Sequence, residues 1–80
     1  MIHPEEVKQL IQRAFPDAQV EVQDQTGTFD HFQIRVVSPI FAGKPLIEQH
    51  RLVQGPLQVA LNDGRIHAVQ IKTQVPKNHL

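Results

Sequence analysis

The 80-residue chain contains no cysteine, no tryptophan and no tyrosine. The absence of cysteine excludes disulfides, thiolate ligands supplied by this chain and a cysteine nucleophile. No apolar run approaches the roughly 20 residues that a membrane-spanning helix requires, and none resembles the apolar region of a secretion signal. Eight basic and eight acidic residues cancel, so net charge gives no general attraction to polyanions. These absences favour a cytoplasmic protein without membrane contact.

The residues that are present suffice for one small domain, because apolar types make up 40% of the chain. We expect a single domain over residues 1–80. Its ordered core should lie at about 4–73, followed by a polar, flexible tail at 74–80.

The first half of the chain predicts a helix and a hairpin. Apolar side chains recur at helical spacing at Val7, Leu10, Ile11, Ala14 and Phe15. Pro4 suits the first helical position, and Pro16 ends the helix. Beyond it, apolar and polar residues alternate over 18–24 and again over 31–37, which predicts two strands. The short loop at 24–30 favours an antiparallel hairpin.

The second half predicts two helices and a last strand. A helical pattern covers 46–54, Gly55-Pro56 interrupts it, and Pro56 begins a second short helix over 56–61. A β-branched strand follows at 66–73. The order α-β-β-α-α-β allows the second and third strands to be parallel, joined by a right-handed helical crossover. The predicted fold is therefore α+β: a three-stranded mixed sheet with helices packed on one face.

Five histidines are the chain's main source of metal ligands. His3 and His79 lie near the termini, where a solvated position is expected, and His50 lies on the apolar side of a helix, where packing is expected. His31 begins the second predicted strand, and His67 lies one residue into the third. If these strands are parallel neighbours, both histidines lie at one edge of the sheet, where they can share a metal. Their separation matches no metal motif, and strict alternation places them on opposite faces. Both reach one ion only if a strand start is frayed or twisted.

Several short motifs occur in register with these elements. They are FAGK at 41–44, QHRLV at 49–53 and IHAVQIKT at 66–73. In this order they resemble the BolA family, and DHF at 30–32 with GPL at 55–57 resembles its short-loop, YrbA-like branch. The resemblance covers nearly the whole chain. It implies a fold like the class II KH domain, in agreement with the element order predicted from periodicity.

The resemblance also implies a function. BolA-like proteins are not known as enzymes; they associate with a monothiol glutaredoxin and glutathione, share a [2Fe–2S] cluster, and act in iron or redox sensing or in cluster handling. The family's ligand at the start of the last strand corresponds to His67, and its ligand from the loop after the first strand corresponds to His31. The family's arginine–histidine pair is Gln49-His50 here, and His50 and Phe41 take structural roles.

Cluster chemistry agrees with a shared site. A [2Fe–2S] cluster needs four ligands, and this chain offers at most two, so it holds no cluster alone. Two imidazoles in place of thiolates make a cluster less negative and raise its reduction potential. Because imidazole ligates only when deprotonated, such binding weakens as the pH falls through the histidine range near ~6.5.

The alternative class is a KH-like, DNA-binding transcriptional regulator. Gly43-Lys44 forms a loop before a helix, whose free N–H groups can take a phosphate. Further candidates for a basic surface are Arg51, Arg65 and Lys72. Scattered, solvated charges explain the same residues. The junction at 54–57 lacks the G-X-X-G pattern with which KH domains clamp nucleic acid.

An enzyme is not expected. The sequence shows no Ser/His/Asp arrangement and no phosphate-binding glycine loop. A small-molecule substrate is therefore not expected either.

Overall fold

A computed structural model of the chain describes residues 1–76. Its elements in chain order are α1 (Pro4–Ala14), β1 (Gln19–Asp24), β2 (His31–Val37), a 3₁₀ helix (Pro39–Phe41), α2 (Leu46–Asn62) and β3 (Ala68–Gln74). Within the described residues neither helix combines the length and the apolar character needed to cross a bilayer. The flexible tail stays a prediction: Gln74 still belongs to β3, and residues 77–80, with His79, lie outside the described range.

The sheet has the order β1-β2-β3 and is mixed. β1 pairs antiparallel with β2, and β2 pairs parallel with β3. On the central strand Phe32, Ile34 and Val36 are fully buried. They form one core with buried residues of both helices, including Ile11 and Leu57. This confirms the predicted α+β class, with helices covering one face of the sheet.

The N-terminal helix α1 forms where its apolar spacing predicts. Val7 and Ile11 are its buried positions, one turn apart. His3 is the N-cap, and its Nδ1 accepts a hydrogen bond from the backbone N–H of Glu5 at 3.1 Å. The expected solvated histidine is exposed and also caps a helix end. Helix α1 thus supplies one half of the cover over the sheet.

The predicted break at Gly55-Pro56 is wrong, because α2 is one continuous helix with Pro56 in its interior. Val53, Leu57 and Ala60 are buried at helical spacing on both sides of the proline. Burying such side chains stabilises by about 1.5–3 kcal/mol for each large one, which offsets the cost of about 3 kcal/mol for an interior proline. Tertiary packing therefore outweighs the local tendency of Gly55-Pro56 to end the helix.

We expect Pro56→Ala to raise the free energy of unfolding by about 1–2 kcal/mol. Alanine restores an N–H donor and removes the ring clash, worth about 3 kcal/mol, while the unfolded chain regains about 1 kcal/mol of freedom. Urea unfolding measures the change. The control is Pro4→Ala, expected to lower the free energy of unfolding by about 0.4–1 kcal/mol, because proline is tolerated in the first helical turn and only the unfolded chain gains freedom. An unchanged or lower urea midpoint for Pro56→Ala would contradict a strained helix interior.

Candidate metal centre at the sheet rim

The two candidate ligands lie at one rim of the sheet, where β2 begins and the chain enters β3. His31 is the first residue of β2, and its partner across the parallel pair is Ala68, the first residue of β3. His67 therefore directly precedes β3. The backbone N–H groups of His67 and Ala68 both donate to the carbonyl oxygen of Asp30, at 2.8 and 3.2 Å. These bonds fix the two chain segments side by side.

The loop before β2 is held at its C-terminal end. Phe29 has a φ of 58°, in the left-handed region that few side chains other than glycine, asparagine and aspartate adopt readily. The backbone N–H of Ile2 donates to the carbonyl of Phe29 at 3.0 Å, and the N–H of Gln25 donates to the carbonyl of His31 at 2.9 Å. The turn at Phe29 and these bonds set the position of Asp30 at the rim.

The carboxylate of Asp30 lies between the two imidazole rings. Its Oδ1 is 2.8 Å from Nδ1 of His31, and its Oδ2 is 3.3 Å from Nδ1 of His67. The ring centroids are 5.9 Å apart and the rings are nearly perpendicular. The side chains are 41% exposed for His31, 61% for His67 and 21% for Asp30. A second molecule therefore has access to both rings.

The expectation that alternation separates the two rings does not hold. Alternation applies within a strand, whereas His67 precedes β3, and its ring is close to that of His31. Whether the two side chains ligate a metal stays a prediction.

Asp30 is ionised and acts as a hydrogen-bond acceptor. The hydroxyl of Thr28 donates to its Oδ1, and this bond is the main reason that the pKa of Asp30 lies below its usual value. The contact with His31 lowers the pKa further. Since an ionised carboxylate only accepts, Nδ1 of His31 is the protonated nitrogen, and the neutral ring keeps its lone pair on Nε2. A carboxylate that orients an imidazole in this way is common behind metal-ligating histidines.

Sequence reasoning missed Asp30 as a member of the site. Its only signal was its position next to His31, in the motif DHF. Among the described residues, Asp30, His31 and His67 form the one group of three whose ligand atoms lie close enough to hold a metal ion, each within 4.8 Å of the others.

The basic candidates do not form one surface. Arg65 is paired with Asp63, Nε to Oδ2 at 2.9 Å, outside any helix or strand. Lys72 is exposed on the outer face of the sheet, opposite Arg35 in the pairing of β2 with β3. Lys44 precedes α2 and Arg51 lies within it; both line one cavity on the side of the sheet that the helices cover. The charges are thus divided between three places.

The loop before α2 is held in place by packing and hydrogen bonds. Gly43 has a φ of 75°, which explains glycine there. Phe41 is fully buried, with its ring centroid 6.4 Å from that of Phe15. Gln49 donates through Nε2 to the carbonyls of Phe41, at 3.3 Å, and Lys44, at 2.8 Å. The hydroxyl of Thr73 donates to its Oε1. The glutamine thus ties this loop to β3.

The structural role expected of His50 stays a prediction. His50 is half-buried in α2, directly after Gln49. The structure places it on a different element from His31 and His67.

The fold and the rim together define a small α+β protein of the BolA type, with a histidine pair at an exposed edge. The family described as BolA-like protein matches residues 11–78, and the chain belongs to it. It is 39% identical over 74 residues to human BolA-like protein 2, covering 90% of this chain and 84% of that protein. It is 34% identical over 71 residues to the acid stress protein IbaG of Escherichia coli, covering 89% and 81%. The solved BolA domain of SufE1 from Arabidopsis thaliana superposes with a TM-score of 0.81 at 29% identity, covering 91% of each chain.

Proposed function

We propose that this chain is a non-catalytic, cytoplasmic iron–sulfur partner protein. It binds a monothiol glutaredoxin with its glutathione and supplies His67 and His31 as two of the four ligands of a shared [2Fe–2S] cluster. The observation that carries the proposal is the meeting of the two imidazole rings at one exposed rim, with centroids 5.9 Å apart. Membership of the BolA-like family supports the same assignment.

The donor atoms of this chain suffice for a cluster shared with a partner but not for a cluster held by this chain alone. The rim offers two imidazoles, and the chain contains no cysteine. Iron–sulfur clusters are held by thiolates, which histidine replaces at some positions. A partner that carries thiolates completes the set. When bound, the cluster supplies one-electron chemistry and transferable iron and sulfide.

The residues of this chain prepare the rim for that partner. The hydrogen bond from Nδ1 of His31 to Asp30 leaves the Nε2 lone pair of the neutral ring for a metal. The backbone bonds to the carbonyl of Asp30 hold His67 beside it. Because both rings are partly exposed, a partner reaches them without opening the core.

The direct test mixes the purified chain with a monothiol glutaredoxin that carries its cluster. We expect the visible absorption and circular dichroism to change because the ligands of the iron change. The change should saturate at one equivalent of this chain per cluster. Size-exclusion chromatography should show a complex of the two proteins that retains the cluster. An unchanged spectrum with no complex would overturn the proposal.

DNA binding is the alternative function, and the same purified chain can be used to test it. The division of Lys44, Arg51, Arg65 and Lys72 between separate places gives no continuous phosphate-binding surface. We therefore expect no retention of duplex DNA at about 150 mM salt, because salt weakens phosphate contacts and this chain has no continuous set of them to compensate. Salt-dependent retention of DNA, together with an unchanged cluster spectrum, would favour a regulator.

A further inference from the structure

The carboxylate at the rim adds a third donor to the histidine pair. Oxygen atoms of Asp30 lie 2.8 Å from Nδ1 of His31 and 3.3 Å from Nδ1 of His67. Ligand atoms around a tetrahedral zinc ion, with bonds of about 2.0–2.2 Å, are separated by roughly 3.3–3.6 Å. The 3.3 Å spacing to His67 already equals that separation. The 2.8 Å spacing to His31 is that of a hydrogen bond, so Nδ1 of His31 ligates an ion only after its proton has moved to Nε2 or left the ring.

We propose that Asp30, His31 and His67 bind a single divalent transition-metal ion of the zinc type, without any partner protein. All three residues act as ligands, and water takes the fourth position. This inference goes beyond the shared cluster and does not depend on it, since neither glutaredoxin nor glutathione takes part.

The donor types select the class of metal. Two imidazoles and one carboxylate form a set that zinc uses in sites with three protein ligands and one open position. Magnesium and calcium prefer oxygen ligands only, and this rim has too few. Copper and nickel bind the same kinds of donor, so Zn²⁺ serves as the probe for a class of ions and not for one metal.

The chain holds the three residues in place before any ion arrives. Asp30 and His31 are neighbours in sequence, and the backbone N–H groups of His67 and Ala68 both donate to the carbonyl of Asp30. Each side chain offers a ligand atom within 4.8 Å of the other two. The two rings are partly exposed, so they turn the remaining distance toward an ion without disturbing the core.

Asp30 distinguishes the zinc site from the shared cluster. Zinc needs the carboxylate as its third ligand, whereas the cluster takes only the two imidazoles and completes its set from the partner. Asp30→Asn keeps the size of the side chain and removes its charge, so it should weaken zinc binding while both imidazoles remain. The two sites also exclude each other, because they use the same histidines.

The experiment is a titration of the full chain, free of any purification tag, with Zn²⁺ against a chromophoric chelator. We expect one ion per chain. Asp30→Asn and His67→Ala should each weaken binding by at least about tenfold, since even residues behind the ligands change metal affinity by 10–100-fold. The matched control is Asp63→Asn, an exposed aspartate paired with Arg65 away from the histidines, which should bind zinc as the wild type does. Far-ultraviolet circular dichroism verifies that each variant is folded.

Three results overturn the proposal: no stoichiometric binding by the wild type, equal affinity for wild type and Asp30→Asn, or an equal loss in Asp63→Asn. The glutaredoxin mixture separates this inference from the proposed function. A wild-type chain that changes the cluster spectrum but does not bind zinc refutes only the zinc site. A chain that binds zinc and leaves the cluster spectrum unchanged refutes only the shared cluster.

Discussion

Replacing His67 with alanine is expected to abolish the change in visible circular dichroism that cluster-loaded glutaredoxin shows with the wild-type chain. Under the proposed function the substitution removes one of the two histidine ligands, and this chain has no cysteine to replace it. It should leave the fold intact, because His67 is exposed and its structural bond is made by its backbone N–H, which alanine keeps. Loss of the spectral change therefore reports ligation and not unfolding.

The matched control is His3→Asn. His3 is also exposed, and asparagine is at least as good an N-cap for α1. The variant thus keeps the cap and loses an imidazole that packs on Phe29 and not on the ring of His31 or His67. We expect it to change the cluster spectrum as the wild type does. A His67→Ala chain that still gives the full spectral change would contradict ligation by His67, and loss of the change in both variants would point to a general defect.

Truncating Phe32 to alanine is expected to lower the free energy of unfolding by about 3–5 kcal/mol, the usual cost of such a cavity in a core. Phe32 is fully buried at the start of the central strand and pairs with Val69 of β3. A domain of 80 residues has about 4–12 kcal/mol of stability in total, so one side chain accounts for a large part of it. Urea denaturation followed by far-ultraviolet circular dichroism measures the loss.

Phe29→Ala is the control for that experiment. Phe29 lies three residues earlier, is 36% exposed, and has only the tilted ring of His3 as an aromatic neighbour among the described residues. Alanine there should cost less than about 1 kcal/mol. Similar losses for Phe29→Ala and Phe32→Ala would show that the core does not centre on β2.

Local sequence signals predicted most of the fold. The spacing in α1, the alternation in β1 and β2 and the length of the connection before β3 each depend on a few neighbouring residues, and the structure agrees with them. Helix α2 differs because its continuity depends on packing. Val53 and Leu57 contribute to the core on either side of Pro56, and nothing in the local sequence measures that burial.

The sequence was enough to predict that two histidines meet at one edge of the sheet, but not that a carboxylate lies between them. Because β2 and β3 are parallel, their N-terminal ends lie at the same edge of the sheet. His31 and His67 are therefore close there irrespective of their side-chain conformations. The carboxylate between them depends on the backbone turn at Phe29 and on hydrogen bonds from a segment far away in sequence. Those are three-dimensional facts, so the role of Asp30 emerges only with the structure.

The hydrogen bonds to the carbonyl of Asp30 also determine which substitutions this rim tolerates. Beside the contact between the Asp30 carboxylate and the His67 ring, two hydrogen bonds between main-chain atoms join residue 30 to residues 67 and 68. These two bonds do not depend on which side chains stand at the three positions. Only proline at 67 or 68 would remove a donor. Substitutions of the candidate ligands at this rim can therefore change its chemistry while these backbone hydrogen bonds are kept.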